Sequence, residues 1–251
     1  MTILERIALI ATLSAGGCIS VAATSARPTP PRAPATSAAT APAARPLPND
    51  VRWFRTSAEY RALAEQTYAV AAQRLPALSR DLAAQSWGVI LDADETVLDN
   101  SEYERRRAVL DSGYTPPTWA AWVNERAATA IPGAVAFTRR VHDLGGRVVI
   151  VTNRSMDQCD ATRANLASVG LVTDAVLCQP QGESDKNPRF TRVQSGTAVP
   201  GLPALRIVEW LGDNILDFPH LSQTSRNDPA SLTEFGSRYF ILPNPMYGSW
   251  Q

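Results

Sequence analysis

Val89-Ile90-Leu91-Asp92-Ala93-Asp94-Glu95-Thr96-Val97-Leu98-Asp99-Asn100-Ser101 runs from aliphatic residues straight into carboxylates. With Trp87 and Gly88 ahead of it, the apolar part suits a short strand buried on both faces. Further along, Arg147-Val148-Val149-Ile150-Val151-Thr152 is a second such run, rich in β-branched residues. Residues 175–178, 205–211 and 239–242 supply three more. Between them the apolar residues repeat at helical spacing. A helix is expected from the capping sequence Thr56-Ser57-Ala58-Glu59 to Leu75, before Pro76. Others are expected near 118–128, 133–144 and 156–169, the last closed by Gly170. Strands alternating with helices imply right-handed crossovers and an α/β fold, a three-layer αβα sandwich around a parallel sheet. Its chemistry belongs where the strands end at their carboxyl edge.

The chain around this core has 251 residues, with 24 Lys+Arg against 24 Asp+Glu. That balance excludes electrostatic capture of a nucleic acid polymer, which needs an excess of basic residues. The front end differs from the rest. Ile7 to Leu13 is an apolar stretch too short to span a bilayer but suited to the core of an export signal. Ala15-Gly16-Gly17-Cys18 resembles a bacterial lipobox, in which the cysteine carries lipid; an ordinary cleaved signal with an incidental cysteine is the alternative. Residues 19–48 hold 10 Ala, 7 Pro and no acidic residue, a composition that cannot repay its ordering entropy and gives an extended spacer. The expected organisation is a lipoprotein-type signal (1–18), a tether (19–48) and one folded domain (49–251). Such a chain would be exported and lipid-anchored to a bacterial outer membrane or facing the periplasm.

The strand ends gather one kind of chemistry. Asp92 and Asp94 follow the first strand, Thr152-Asn153-Arg154 the second, and Gly212-Asp213-Asn214-Ile215-Leu216-Asp217 the one ending at Leu211. Lys186 stands at a helix start, with Pro188 in the first turn. Carboxylates converging in a partly dry cleft need a counter-ion. Mg²⁺, held by one or two carboxylates plus a substrate phosphate, is the economical one.

Asp92-x-Asp94-x-Thr96, Thr152, Lys186 and Gly212-Asp213-x-x-x-Asp217 resemble the four motifs of the haloacid dehalogenase (HAD) superfamily, in order. The segments 89–101, 151–154, 212–218 and 242–250 resemble, more narrowly, the class C acid phosphatases or lipoprotein 5′-nucleotidases. The resemblance implies a HAD-like Rossmannoid domain with a small helical cap inserted at about 97–131. It implies a Mg²⁺-dependent acid phosphatase acting on phosphomonoesters, nucleoside 5′-monophosphates among them. By the same resemblance Asp92 is the nucleophile and Asp94 the general acid and base. Mg²⁺ sits on Asp92, the Asp94 backbone carbonyl and Asp213. Asp217 orients a metal-bound water or Lys186, Thr152 and neighbouring N–H groups hold the phosphoryl oxygens, and Lys186 neutralises charge. Asn153 and Arg154 fall among the substrate-binding residues, and Trp119 and Tyr247 match aromatic rings that clamp a nucleobase.

A phosphotransferase of the same superfamily differs only in its acceptor, and a catalytically silent surface-binding lipoprotein is expected to have lost Asp92 or Asp213. Trp122, three residues after Trp119, reads as the buried face of a helix. His142 and His220 read as structural. Cys159 and Cys178 are expected near one sheet edge, where an oxidising compartment permits a bond. Oligomeric state is not readable.

Overall fold

Asn49–Thr56 forms a helix, α1, where none was expected; it buries Val51 and Phe54. The computed structural model describes residues 46–251, which fall within the unit Ala44–Gln251. The expected signal, Cys18 and the tether up to residue 45 lie outside the described residues. Because α1 occupies Thr56, the next helix, α2 (Ala58–Ser79), is capped by Ser57, whose side chain accepts from the Tyr60 N–H. It also continues through Pro76 rather than stopping at Leu75. Pro76 is exposed, so water can satisfy the carbonyl one turn earlier, while Leu75 beside it is fully buried.

Then follow β1 (Trp87–Leu91), β2 (Leu98–Asp99), α3 (Ser101–Val109), α4 (Pro116–Glu125) and β3 (Thr129–Ala130). The helix expected at 118–128 starts earlier, because Thr115 caps it and Pro116 and Pro117 suit its first turn. It ends at Arg126, whose backbone is left-handed. β2 and β3 pair antiparallel, and the Ile131 N–H donates to the Val97 carbonyl, so the segment 97–131 is stitched at its base and carries α3 and α4 beyond it.

The remainder is α5 (Ala134–Asp143), β4 (Arg147–Ser155), α6 (Cys159–Ser168), β5 (Ala175–Gln179), α7 (Asn187–Ser195), β6 (Arg206–Gly212) and β7 (Tyr239–Ile241). The five long-range strands form one parallel sheet in the order β5-β4-β1-β6-β7. One face packs α2, α5 and α6 through residues such as Tyr68, Phe137 and Leu166 on Val89, Leu91 and Ile150. The other packs Phe190 and Val193 of α7, with Phe218, on Ile90, Val149 and Trp210. Each such fully buried aliphatic or aromatic side chain contributes about 1.5–3 kcal/mol before ordering costs. The chain runs β1, β4, β5 to one side of β1 and then returns to β6 on the other. The crevice at the carboxyl ends of β1 and β6 is therefore the topological switch point. Among the described residues no helix is long and apolar enough to cross a membrane.

Candidate active site

Asp92 is the first residue after β1, and its N–H still donates to the Leu211 carbonyl of β6. The chain then turns sharply. Val97 and Leu98 both donate backbone N–H groups to the Ala93 carbonyl, and Glu95 adopts a left-handed φ of 50°. The Tyr68 hydroxyl pins this turn through the Thr96 carbonyl at 2.6 Å. Turning at once after Asp92 frees Asp94 from the strand's alternation and lets its carboxylate reach the cleft.

From β6, Asp213 accepts from Asn244 Nδ2 at 2.8 Å and from Thr96 Oγ1 at 3.3 Å. Asp217 closes a short 3₁₀ turn, its Oδ2 accepting the Asn214 N–H. Lys186, at the start of α7, inserts its ammonium between Asp92 Oδ1 (2.5 Å) and Asp217 Oδ1 (2.6 Å). One oxygen each from Asp92, Asp213 and Asp217 lies within 4.8 Å of the others. Burial pushes the Asp92 carboxyl up to about 7 although the Lys186 ammonium pulls it down. Burial first, then Asp217 and Asp92, raise Asp213 well above the ordinary carboxylate range. Burial alone would lower Lys186, but Asp217 and Asp92 outweigh it and hold the ammonium above its usual value. Three carboxylates facing one ammonium are short of positive charge. The all-oxygen donor set left over suits a hard divalent cation.

Thr152 and Asn153 stand at the end of β4, beside β1. Arg189, buried in α7, donates to the Thr152 carbonyl at 2.6 Å and to Asn153 Oδ1 at 2.5 Å. Asn153 Nδ2 in turn holds the Ser184 carbonyl, two residues before Lys186. The disulfide Cys159–Cys178, with Cα atoms 5.8 Å apart, fastens the start of α6 to the end of β5 next to this loop. Arg154, only 2% exposed, turns inward and grips Asp94 through Nε and NH2.

Asp94 also lines a cleft of about 600 Å³ with Glu104, Tyr114, Trp119, Met246 and Tyr247. Trp119 is braced edge-on by Tyr103 at 5.2 Å. His142 pairs with Asp174, and His220 is held through its backbone by Asn187. Asp174 and Asn187 both lie outside the aspartate cluster.

Residues 17–250 match the family described as HAD superfamily, subfamily IIIB (acid phosphatase). The chain belongs to this acid phosphatase family. Among solved structures it resembles the class C acid phosphatase from Bacillus anthracis, with a TM-score of 0.70 and 31% identity over 80% of this chain and 84% of that one. The tungstate-bound structure of that enzyme matches equally well. Curated relatives include two Glycine max proteins, the stem 31 kDa glycoprotein (27% identical over 63% of this chain) and the stem 28 kDa glycoprotein (26% over 63%). The chain spans 58% of the length of each.

Four residues that brace this candidate site carried no site role in the sequence reading, where Trp122 stood only as a buried helical face. Asn100 and Arg189 hold other site residues, Asn244 holds Asp213, and Trp122 donates its indole N–H to Asn100. Asn100 stands inside the decisive run and Asn244 between two prolines. A polar side chain set among residues bound for burial was the available signal.

Proposed function

We propose that this chain is a Mg²⁺-dependent phosphatase of phosphomonoesters, nucleoside 5′-monophosphates included, working through an aspartyl-phosphate on Asp92. The observation that carries this is the buried Asp92–Lys186–Asp217 chain beside Asp213, at the switch point and next to the cleft that Asp94 lines. The Asp92 carboxylate attacks phosphorus as the ester oxygen departs, and Asp94 gives that oxygen its proton. Asp94 then takes a proton from water, which attacks phosphorus, releases phosphate and restores Asp92. Lys186 keeps Asp92 oriented and offsets the negative charge spread over the phosphoryl oxygens. Thr152 and the backbone N–H groups beside it in β4 receive those oxygens, on a carbonyl frame that Arg189 fixes. Asp92, Asp213 and the Asp94 carbonyl would hold Mg²⁺, which supplies further positive charge to the phosphoryl group, while Asp217 keeps Lys186 in place.

Trp119 and Tyr247 offer the leaving group two aromatic faces, and a stacked base is worth about 1–3 kcal/mol whatever its identity. The tungstate complex of the similar Bacillus anthracis enzyme supports binding of a tetrahedral oxyanion here. The Cys159–Cys178 disulfide favours an oxidising compartment and so export, with Cys18 as the lipid-bearing residue. Incorporation of a fatty-acid label into the wild-type chain but not into Cys18→Ser checks the anchor.

Phosphate release tests the activity, measured over nucleoside monophosphates, sugar phosphates and an aryl phosphate with and without chelator. Release that needs Mg²⁺ and vanishes in Asp92→Asn supports the reading; release unaffected by either rejects it.

A further inference from the structure

Asp94 is held asymmetrically. Its Oδ1 receives Arg154 NH2 at 2.7 Å, Arg154 Nε at 3.0 Å and Asn100 Nδ2 at 2.8 Å. Among the described residues its Oδ2 receives only the longer contact from Arg154 Nε, at 3.3 Å. A carboxylate gripped this firmly on one oxygen has one oxygen left for proton transfer. Asn100 is fully buried, and its own Oδ1 accepts from Trp122 Nε1 at 2.8 Å and from Arg154 NH2 at 3.1 Å. The Arg154 guanidinium also lies 5.4 Å from the centre of the Trp119 ring. Both tryptophans of α4 therefore rest on the two groups that hold Asp94.

We propose that Arg154, Asn100 and Trp122 form a positioning relay that aims Asp94 Oδ2 at the leaving-group oxygen and ties that aim to helix α4. Arg154 then acts on Asp94 rather than on the substrate's phosphate. The inference rests on Asp94 serving as general acid in phosphoester cleavage. The sequence placed Trp122 in a buried helical face and Arg154 among substrate ligands; the geometry gives both a further task. Trp122 contributes an N–H as well as packing, and that N–H, with Arg154, fixes which way the Asn100 amide points. Asn100 must turn its oxygen to Trp122 and Arg154 for its nitrogen to reach Asp94. Exchanging the two atoms would set N–H groups against N–H groups and the amide oxygen against a carboxylate oxygen.

The consequence is selective. A general acid matters when the departing oxygen is basic, as in an alkyl or nucleoside phosphate, and matters little for a nitrophenyl phosphate. The quantity to read is kcat/KM, because it ends at departure of the alcohol and excludes the later role of Asp94 as base. The variants are Trp122→Phe, which keeps a ring, and Arg154→Lys, which keeps the charge but loses the two-pronged grip. In each, kcat/KM should fall by roughly 10²-fold for an alkyl or nucleoside phosphate and by at least tenfold less for nitrophenyl phosphate, within the range general acids contribute. Equal losses on both substrates in both variants would overturn the relay. A wild-type chain that releases no phosphate from either would instead reject the phosphatase reading itself.

Discussion

Gly212 and Asp217 approach so closely that a methyl group at 212 would overlap the Cβ and Oδ2 of Asp217. The absence of a side chain at the end of β6 lets the 3₁₀ turn fold back and deliver the Asp217 carboxylate to Lys186. In Gly212→Ala the methyl must displace Asp217, with an overpacking cost of about 1–3 kcal/mol. Lys186 would lose one of its two anchors, and a shift on the order of 1 Å at the reacting centre can cost about 10²-fold in rate. Steady-state kinetics beside thermal unfolding checks this; full activity in the variant would contradict it.

Lys186→Met removes the ammonium that bridges Asp92 and Asp217. Breaking one side of a buried ionic pair costs about 3–5 kcal/mol, because uncompensated carboxylates remain. The variant should be inactive and less stable than wild type. Mg²⁺ should raise its melting temperature by more than it raises that of the wild-type chain. A melt that ignores Mg²⁺ in both would count against a cation site among the aspartates.

Glu209 lies inside β6 with no exposure, and neither carboxylate oxygen has a hydrogen-bond partner among the described residues. Burial pushes its carboxyl up to about 9 from an ordinary 4.5, with Arg74 pulling the other way. The folded chain thus binds a proton that the unfolded chain releases in this window. Its contribution to stability is full below the ordinary value and is lost as pH rises toward about 9. Glu209→Gln, neutral throughout, should flatten the stability loss seen by urea unfolding between about pH 5 and 8. Parallel curves for variant and wild type would refute the assignment.

Cys159 and Cys178 are 19 residues apart in sequence and close a short loop at the edge of the sheet. Reduction, or the pair Cys159→Ser and Cys178→Ser, should cost about 2–4 kcal/mol in chemical unfolding. Unchanged unfolding midpoints with and without reductant would argue that the bond does not form in solution.

The sheet was readable because its strands are short apolar runs, aliphatic from Val89-Ile90-Leu91 to Ile207-Val208 and aromatic at Tyr239-Phe240. α3 was not, since Ser101–Val109 is dominated by Glu and Arg and buries only Ser101 and Tyr103. α2 outran its expected end because local proline chemistry yields where the carbonyl it orphans faces water. Asp92, Lys186, Asp213 and Asp217 could be paired in advance, since the strand-end rule brings them together without knowing a single rotamer. The partners of Asp94 could not. Arg154 lies 60 residues away in sequence, and its side chain could as well have faced the phosphate. Glu209 was hidden for a similar reason: a lone carboxylate in an apolar strand does not show whether its face of the sheet is covered until the packed elements are known.

The central claim is that Asp92 becomes phosphorylated. Borohydride added during turnover with Mg²⁺ and a phosphomonoester would reduce an acyl-phosphate to the alcohol, and peptide mass spectrometry would locate the change. The expected result is homoserine at position 92, absent without substrate and absent in Asp92→Asn. Rapid turnover with position 92 unmodified, or reduction at another carboxylate, would contradict it.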